Sequence, residues 1–579
     1  MNTLNMEEVI KEDIKINKKE PIIMYSLLVV LLIILIYISF ILVKTNQNLS
    51  SENNLVFPQS METNSQSLIS NSGNLSGENK EILNPIPKQI YEIDTSKVIP
   101  LLPHTVLYKT SDGLPYSGEI NISSTNQYNQ VQGVSTFRGN NYRDTAFYGE
   151  LEITENKLSK VWTNTIGQTD NWTGIGWNGQ PAIIKWDKQV QNQMNLYDEF
   201  KNKEGFIEVI YGGLDSTIHF YDLETGTPSR PVITVPSSIK GSVTIDPRGY
   251  PLLYVGQGIN AVSGESVKMG YHIFSLIDGT ELLFINGRDS YAYLGWGAFD
   301  GNPVIDANSD TMVLPGENGL IYIVKLNTNY DTKNGTISLT PKITRLKVAT
   351  NGYAGGIENS IAVYSHYAYH MNNNGIIQCI DLNDLSVVWN NNMGDDCDST
   401  IGLEEENNKL VLYAGSEVDR QRTTAPAYAR KFDAFTGEVL WEYSCNCKYD
   451  SNVNGGVLSS PIIGKNSISN MVIFNFSKVT TTMNGKMVAL NKENGEVIWE
   501  KDMPYYSWSS PVAVYVKNGD AYIIFGNAHG QVLLIDAKTG NTLYTLNTGG
   551  GNIEGSPAIY DNKIIIGTRG KRIYCIEIK

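Results

Sequence analysis

The feature that most constrains the fold is a recurring unit of two short apolar segments joined by a tight turn. The clearest copies are 380–389, 432–441, 490–499 and 535–544. Their turn position is occupied by Leu385, Gly437, Gly495 and Gly540. Glycine readily reaches the positive φ that a tight turn needs, so each copy is predicted to be a β-hairpin.

The spacing of these hairpins predicts a β-propeller. Two earlier copies, 221–230 and 275–284, have turns at Gly226 and Gly279, which lie 53 residues apart. The gap from Gly279 to Leu385 is twice that, so another copy with a longer turn is expected at 319–335. A period near 50 with several short strands is typical of one four-stranded propeller blade per repeat.

Two further apolar segments precede each hairpin, and three of them begin with Ser-Pro. Counting the first strand of each repeat gives eight blades, with starts near Gln180, Ser242, Asn302, Asn359, Ser399, Ser460, Ser510 and Ser556. The last repeat ends one strand short at Lys579, and 158–167 resembles the missing strand, with Trp162 in the place of Trp441. The predicted fold is therefore an all-β, eight-bladed β-propeller of four-stranded antiparallel blades, closed by an N-terminal strand that removes an exposed edge.

A transmembrane helix is predicted at 22–43, an uncharged apolar run of 22 residues. At about 1.5 Å per residue it spans a hydrocarbon core of about 30 Å. It is too long for a signal-peptide core, and no small-residue cleavage site follows it. Four lysines precede it, whereas only Lys44 follows before Lys80. The positive-inside rule then predicts a single-pass protein of the cell membrane with a cytoplasmic N-terminus and an extracellular propeller.

The predicted organisation has five parts. Residues 1–21 form a cytoplasmic tail and 22–43 the transmembrane helix. Residues 44–89 are rich in Ser and Asn and bury too little apolar surface to fold, so they are predicted to be a disordered tether. An entry segment, 90–157, then leads into the propeller at 158–579.

Charge and cysteine content exclude some classes of protein. The formal net charge is −15, and such an acidic surface repels phosphate backbones, so no nucleic-acid partner is expected. The five cysteines are an odd number and too few for a disulfide scaffold. Cys445 and Cys447 lie two apart on a predicted strand, where a disulfide has poor geometry, so the cysteines are predicted to be buried or free.

The hairpins resemble the pyrroloquinoline quinone (PQQ) repeat, in which a strand is followed by D-x-x-T-G-x-x-x-W. The best match is Asp433, Thr436, Gly437 and Trp441, and 135–145 is similar to the segment that introduces such propellers. The resemblance covers about 130–579. It implies a propeller fold and a structural role for the tryptophans, which dock one blade onto the next.

The resemblance implies one of two kinds of function. Quinoprotein dehydrogenases bind PQQ over a tryptophan floor, cap it with a disulfide of adjacent cysteines, and hold Ca²⁺ with acidic and amide side chains. The other branch consists of non-catalytic scaffolds, such as the outer-membrane assembly lipoprotein. This sequence contains neither a Cys-Cys pair nor a C-x-x-C-H motif. It is therefore nearer the scaffold branch, and PQQ and calcium are implied only by the enzyme branch.

The candidate site is the axial funnel, lined by the loops that lead into the first strands. Those loops contain Trp177, Trp296 and Trp508, which are predicted either to stack on a planar ligand or to pack between blades. They also contain the four carboxylates predicted to bind a hard cation such as calcium or to cap strands, namely Asp300, Glu358, Asp398 and Glu554. No catalytic residue can be nominated.

A second acidic pattern has a structural interpretation. Asp306, Asn308, Asp310 and Glu317 have the spacing of EF-hand ligands, but Thr311 stands where a glycine is required. The flanking residues are predicted strands, so a hairpin turn is expected there.

Three functional hypotheses follow. The first is a membrane-tethered, non-catalytic binding or assembly scaffold with a protein or cell-wall partner. The second is a membrane-bound, PQQ- and calcium-dependent quinoprotein oxidoreductase. The third is a sensor that binds a glycan or a peptide.

Overall fold

The computed structural model describes residues 93–122, 125–451 and 454–579, all within the compact unit Lys88–Lys579. The predicted tail, transmembrane helix and tether lie outside these residues. Within them, no helix combines the length and the apolar character that a membrane crossing requires.

Eight four-stranded antiparallel sheets follow one another around a ring, as predicted. They are numbered here as blades 1 to 8 in the order of their first strands. Of the four strands of each blade, the first lies nearest the axis and the fourth lies farthest from it. The first strands begin two or three residues after the predicted starts.

The strands of blades 1 to 4 are given from the axis outward. Blade 1 consists of Ala182–Lys185, Ile207–Gly212, Thr217–Asp222 and Ile233–Thr234, and blade 2 of Thr244–Ile245, Leu252–Gly256, Gly270–Ser275 and Glu281–Asn286. Blade 3 consists of Val304–Asp306, Thr311–Pro315, Leu320–Lys325 and Lys342–Thr350, and blade 4 of Ala362–Tyr364, Tyr367–Met371, Ile376–Asp381 and Ser386–Asn392.

Blades 5 to 8 follow the same order. Blade 5 consists of Gly402–Glu406, Lys409–Gly415, Ala425–Asp433 and Val439–Cys447, and blade 6 of Ile462–Ile463, Met471–Ser477, Gly485–Asn491 and Val497–Met503. Blade 7 consists of Val512–Tyr515, Ala521–Gly526, Gln531–Asp536 and Thr542–Asn547, and blade 8 of Ala558–Tyr560, Lys563–Thr568, Arg572–Ile578 and Leu158–Thr165.

Short elements decorate this ring. The helices are Thr125–Tyr128, Lys188–Gln193 and Asp198–Asn202, with 3₁₀ turns at Thr95–Lys97 and Asn466–Ile468. Two-stranded ribbons are formed by Gln168–Thr169 with Trp172–Thr173, Ala261–Val262 with Glu265–Ser266, and Asn329–Asp331 with Thr336–Ser338. The remaining short strands, which add to blades 1, 6 and 8, are Gln132–Val134, Phe147–Tyr148, Glu417–Val418 and Gly455–Gly456.

The predicted closure of the ring is confirmed. Leu158–Thr165 is the outermost strand of blade 8 and pairs antiparallel with Arg572–Ile578, from Leu158 opposite Ile578 to Thr165 opposite Arg572. The copy predicted at 319–335 is also present, as the third and fourth strands of blade 3. The connection between these strands is longer than in the other blades because it contains the ribbon Asn329–Asp331 and Thr336–Ser338.

The hydrophobic core is divided into eight clusters, one at each contact between neighbouring blades. Most second and third strands are buried along almost their whole length, because both faces of each blade are covered by neighbours. This explains why these strands read as continuous apolar runs rather than as alternating patterns.

Four of these contacts share one docking arrangement. The indole N–H of Trp389, in blade 4, donates to the carbonyl of Ala434 in the hairpin turn of blade 5 at 2.7 Å. The ring also covers Gly437, where an added Cβ would lie 2.6 Å from it. Equivalent pairs are Trp162 with Gly226, Trp441 with Gly495 and Trp499 with Gly540. The role implied for the repeat tryptophans is thus visible in the contacts.

Residues 93–122, here called the strap, run along blades 3 to 5. His104–Thr110 pairs antiparallel with Lys342–Thr350 and gives blade 3 a fifth strand. The N–H of Ile99 donates to the carbonyl of Thr436 in blade 5, and Tyr116 donates through its hydroxyl to Leu382 in blade 4. The sequence predicted an entry segment here but not its course.

Candidate functional site: an acidic, tryptophan-lined funnel

The funnel is formed by two sets of loops. In an antiparallel meander, the loops between second and third strands and the loops that lead into the next blade lie on one face. A series of hydrogen bonds joins the eight residues at the blade entrances, for example from Ser460 N–H to Ser510 Oγ and from Ser510 N–H to Ser556 Oγ, each 3.0 Å long. The other members are Gln180, Ser242, Asn302, Ser360 and Thr400. Ser556 N–H donates to the carbonyl of Gly179, next to Gln180, and so closes the ring.

Two buried arginines fill the axis next to this ring. Arg143 donates to the carbonyls of Ile361, Asn302 and Pro303, which belong to the entrances of blades 3 and 4. Arg138 donates to Pro461 and Pro511, at the entrances of blades 6 and 7. Burial lowers the pKa of each guanidinium to about 10. The segment 135–145 therefore forms a plug that ties the blades together.

The structure brings most of the predicted site residues to one cavity of about 430 Å³ on the funnel face. Its walls include Trp177, Trp508, Glu358, Asp398 and Glu554. The other lining residues are Trp172, Gly176, Leu214, Lys240, Ser451, Asn454, Leu458 and Arg569. A cavity of this size suits a small organic ligand.

The other two predicted residues lie beside the cavity. Asp300 is 1% exposed and pairs with Lys240 Nζ at 2.5 Å. Trp296 is 39% exposed and donates through Nε1 to Glu317 at 2.6 Å. Neither lines the cavity itself, so Trp296 does not form a common aromatic wall with Trp177 and Trp508.

Three carboxylates form a compact group behind the cavity wall. One ligand oxygen from each of Asp300, Glu317 and Glu358 lies within 4.8 Å of the others. Burial, followed by Asp300 and Glu358, raises the pKa of Glu317 well above its usual range. Burial lowers the pKa of Lys240, but Asp300 and the two glutamates outweigh it, so that this ammonium keeps its proton.

A second acidic group lies on the other side of Glu358. Asp398 makes no ion pair among the described residues, but its carboxyl is hydrogen-bonded to the carboxyl of Glu417, and its backbone N–H also donates to Glu417 at 3.0 Å. Burial and neighbouring carboxylates raise the pKa of both residues well above the usual range. Burial, followed by Glu358, raises the pKa of Asp396 to about 8.

The remaining charges of the cavity wall are paired. Arg569 contacts Glu554 at 2.9 Å and lies over the ring of Trp172, 5.7 Å from its centroid. Burial raises the pKa of Glu554 despite this partner. Within the described part of the chain, Lys240 and Arg569 are thus both engaged by carboxylates.

Several buried polar atoms here have no hydrogen-bond partner among the described residues. They include one carboxyl oxygen of each of Asp300, Glu317 and Asp398, namely Oδ1, Oε1 and Oδ1, and the indole donors of Trp177 and Trp508. Trp177 is only 8% exposed. An unpaired buried polar group costs about 1–3 kcal/mol, so these atoms favour a bound partner.

Five residues of the site were not predicted from the sequence, namely Lys240, Glu317, Asp396, Glu417 and Arg569. Glu317, Glu417 and Arg569 follow second strands, so they do not lie in the loops that lead into first strands. A charged residue one or two positions after an apolar second strand was the signal that could have found them. The predicted acidic hairpin at Asp306–Asp310 is confirmed between the first two strands of blade 3. Glu317 was wrongly grouped with it and lies in the funnel instead.

The carboxylates fit a hard cation, which prefers several oxygen ligands. Asp300, Glu317 and Glu358 offer them, whereas the predicted ligands Asp398 and Glu554 lie outside this group. An anionic quinone fits less well, because Lys240 and Arg569 are already paired. All five cysteines are free, so no disulfide caps the funnel.

Comparison with known proteins agrees with the fold. Residues 373–579 match the sequence profile of the family described as outer membrane protein assembly factor BamB. Quinohemoprotein alcohol dehydrogenase from Comamonas testosteroni is 12% identical, with a TM-score of 0.50 over 77% of this chain and 80% of that chain. BamB from Moraxella catarrhalis is 15% identical, with a TM-score of 0.44 over 73% and 98%. No curated protein sequence matches.

The fold and the site define an eight-bladed β-propeller with an acidic axial funnel. Its last repeats, within residues 373–579, are similar to those of the PQQ-like propeller family. The structural similarity at 12% identity shows the shared fold alone.

Proposed function

We propose that this chain is a non-catalytic binding or assembly scaffold that is tethered to the cell membrane and binds its ligand or partner through the funnel face. The observation that carries the proposal is the cavity of about 430 Å³, where tryptophans and carboxylates converge and several polar atoms have no partner in the described residues. The profile match to an assembly factor supports a protein partner.

The proposal that the propeller lies on the extracellular side of the membrane is based on the sequence. The apolar run 22–43 and the lysines before it predict an anchor with the propeller on the extracellular side. Protease added to intact cells is expected to remove the propeller epitope. Protection of that epitope until the membrane is permeabilised would contradict this orientation.

The scaffold function is tested by site-specific photocrosslinking in the native membrane. A photoreactive amino acid at position 508 lies on the funnel face, and one at position 438 lies on a hairpin turn of the opposite face. We expect a defined crosslinked product from position 508 that is absent from position 438. Products from position 438 alone would contradict a functional funnel.

The alternative quinoprotein function is tested with the same full-length chain. Calorimetric titration with PQQ and calcium, followed by a dye-coupled oxidation assay, is expected to show no quinone-dependent turnover. Robust turnover would overturn the non-catalytic proposal. Binding of calcium alone is compatible with it, since Asp300, Glu317 and Glu358 fit a hard cation.

A further inference from the structure

The charges of the funnel are unbalanced once its ion pairs are counted. Lys240 is paired with Asp300, and Arg569 with Glu554. Among the described residues, Glu358 and Asp398 make no ion pair, although both line the cavity. The Lys240 ammonium is shared by Asp300, Glu317 and Glu358, so the funnel holds more carboxyl groups than cations.

The cavity is also larger and more aromatic than a metal ion needs. Trp172, Trp177 and Trp508 line it, and indole rings offer no metal ligand. They do pack against flat or apolar organic groups and attract cations to their faces. These residues favour an organic ligand over a bare ion in the open part of the funnel.

The unpartnered atoms define two kinds of hydrogen bond. Asp398 Oδ1 is a buried acceptor with no partner among the described residues. The indole N–H groups of Trp177 and Trp508 are buried donors in the same situation, and Trp177 is 8% exposed. A ligand that pairs all three must carry both a donor for a carboxylate and acceptors for indole N–H groups.

We propose that the funnel ligand is a small organic molecule that carries a primary ammonium group beside hydroxyl or carbonyl oxygens. The ammonium binds between Glu358 and Asp398, and the oxygens accept from Trp177 and Trp508. Burial raises the pKa of both carboxyls, so binding of the ammonium favours their ionised forms and releases the proton that Asp398 holds. This inference rests on the proposed function and specifies the chemistry that the funnel recognises. An amino sugar and a lysine side chain of a peptide share this chemistry.

The test uses pairs of probes that differ only in the ammonium. Calorimetry of the full-length chain compares glucosamine with N-acetylglucosamine, and Nα-acetyl-lysine amide with its Nε-acetylated form. We expect the cationic member of at least one pair to bind with a Kd below about 1 mM, and its acetylated partner at least about tenfold more weakly. The pair that responds identifies the sugar or the peptide source.

Variants assign the binding to the two carboxylates. Asp398→Asn and Glu358→Gln are each expected to weaken binding of the cationic probe by about tenfold or more. Glu438→Gln removes one charge from an exposed turn on the opposite face and is the matched control. Thermal unfolding of each variant verifies that it is folded. Because the two substitutions change different carboxyl groups, each tests the binding site independently of the other.

Three outcomes would overturn the inference. They are equal binding of amine and acetylated probes, no binding of either amine at about 1 mM, and binding that both variants retain. Equal binding would leave the funnel as a ligand site that does not select for charge. The photocrosslinking at position 508 separately reports on the proposed function, so a failure of one is distinguishable from a failure of the other.

Discussion

At the scale of single residues, Asp396 links the funnel to pH. Its pKa is about 8, raised by burial and then by Glu358. The unfolded chain releases this proton near pH 4, whereas the folded chain keeps it to about pH 8. Folding therefore takes up a proton between these values, and stability falls as the pH rises through this window.

The expected result is a melting temperature that decreases from pH 5 to pH 8, with a smaller decrease in Asp396→Asn. One group contributes at most about 1.4 kcal/mol per pH unit, and Asp398 and Glu417 act in the same direction. Thermal unfolding across this range measures the slope. Glu438→Gln should leave it unchanged, and an unaltered slope in Asp396→Asn would contradict the assignment.

Lys240 is the second residue with a specific expectation. Its ammonium lies 2.5 Å from Asp300 and neutralises part of the three-carboxylate group. A divalent cation has to compete with this charge. Calorimetry is therefore expected to show tighter calcium binding in Lys240→Met and weaker binding in Glu317→Gln. No detectable binding in Lys240→Met would argue against a calcium site there.

At the scale of elements, the hairpin turn is the unit that joins neighbouring blades. Gly437 has a φ of +76°, and a Cβ there would lie 2.6 Å from the ring of Trp389. Gly279 has a nearly identical φ of +80° but nothing within 4 Å of an added Cβ. Substitution at the two positions therefore separates backbone strain from lost docking.

Gly437→Ala is expected to destabilise the fold by about 1–3 kcal/mol more than Gly279→Ala does. Chemical denaturation at equilibrium measures both free energies of unfolding. Equal decreases in the free energy of unfolding would mean that the left-handed backbone alone causes the destabilisation. The indole of Trp389 would then move aside at no energetic cost.

The hairpins also show why so much of the fold was predictable. A turn glycine with an apolar strand on each side is a local signal that the sequence shows directly. In blade 4 the turn position is Leu385 instead of a glycine, yet its backbone is also left-handed, with φ +61°. The funnel tryptophans and carboxylates were found because they directly precede first strands. The course of the strap was not predictable, because His104–Thr110 pairs with a strand more than 230 residues away and has no repeat pattern.

At the scale of the whole molecule, the plug holds the blades around a common axis. Arg143 donates to carbonyls at the entrances of blades 3 and 4 and, within the plug, to Phe137. The sequence offered only a resemblance for this segment, since no local pattern shows that an arginine will be buried among carbonyls. Replacing Arg143 with a residue that cannot donate hydrogen bonds leaves several buried carbonyl oxygens unpaired at once.

Arg143→Met is expected to lower the free energy of unfolding by at least about 3 kcal/mol. Arg143→Lys keeps the charge but lacks the planar fork, so its loss should be substantial but smaller. Denaturant titration followed by circular dichroism compares the two. Wild-type stability in Arg143→Met would show that the plug does not tie the blades.

The strap has a mechanical consequence. A pull on the chain from its N-terminal side reaches the seven residue pairs between His104–Thr110 and Lys342–Thr350 before it reaches the plug or the closing strand Leu158–Thr165. The load is thus borne first by the outer edge of blade 3, and the strand that closes the ring is shielded from it. Tension applied from the N-terminal side can in this way leave the funnel intact while the strap absorbs the strain.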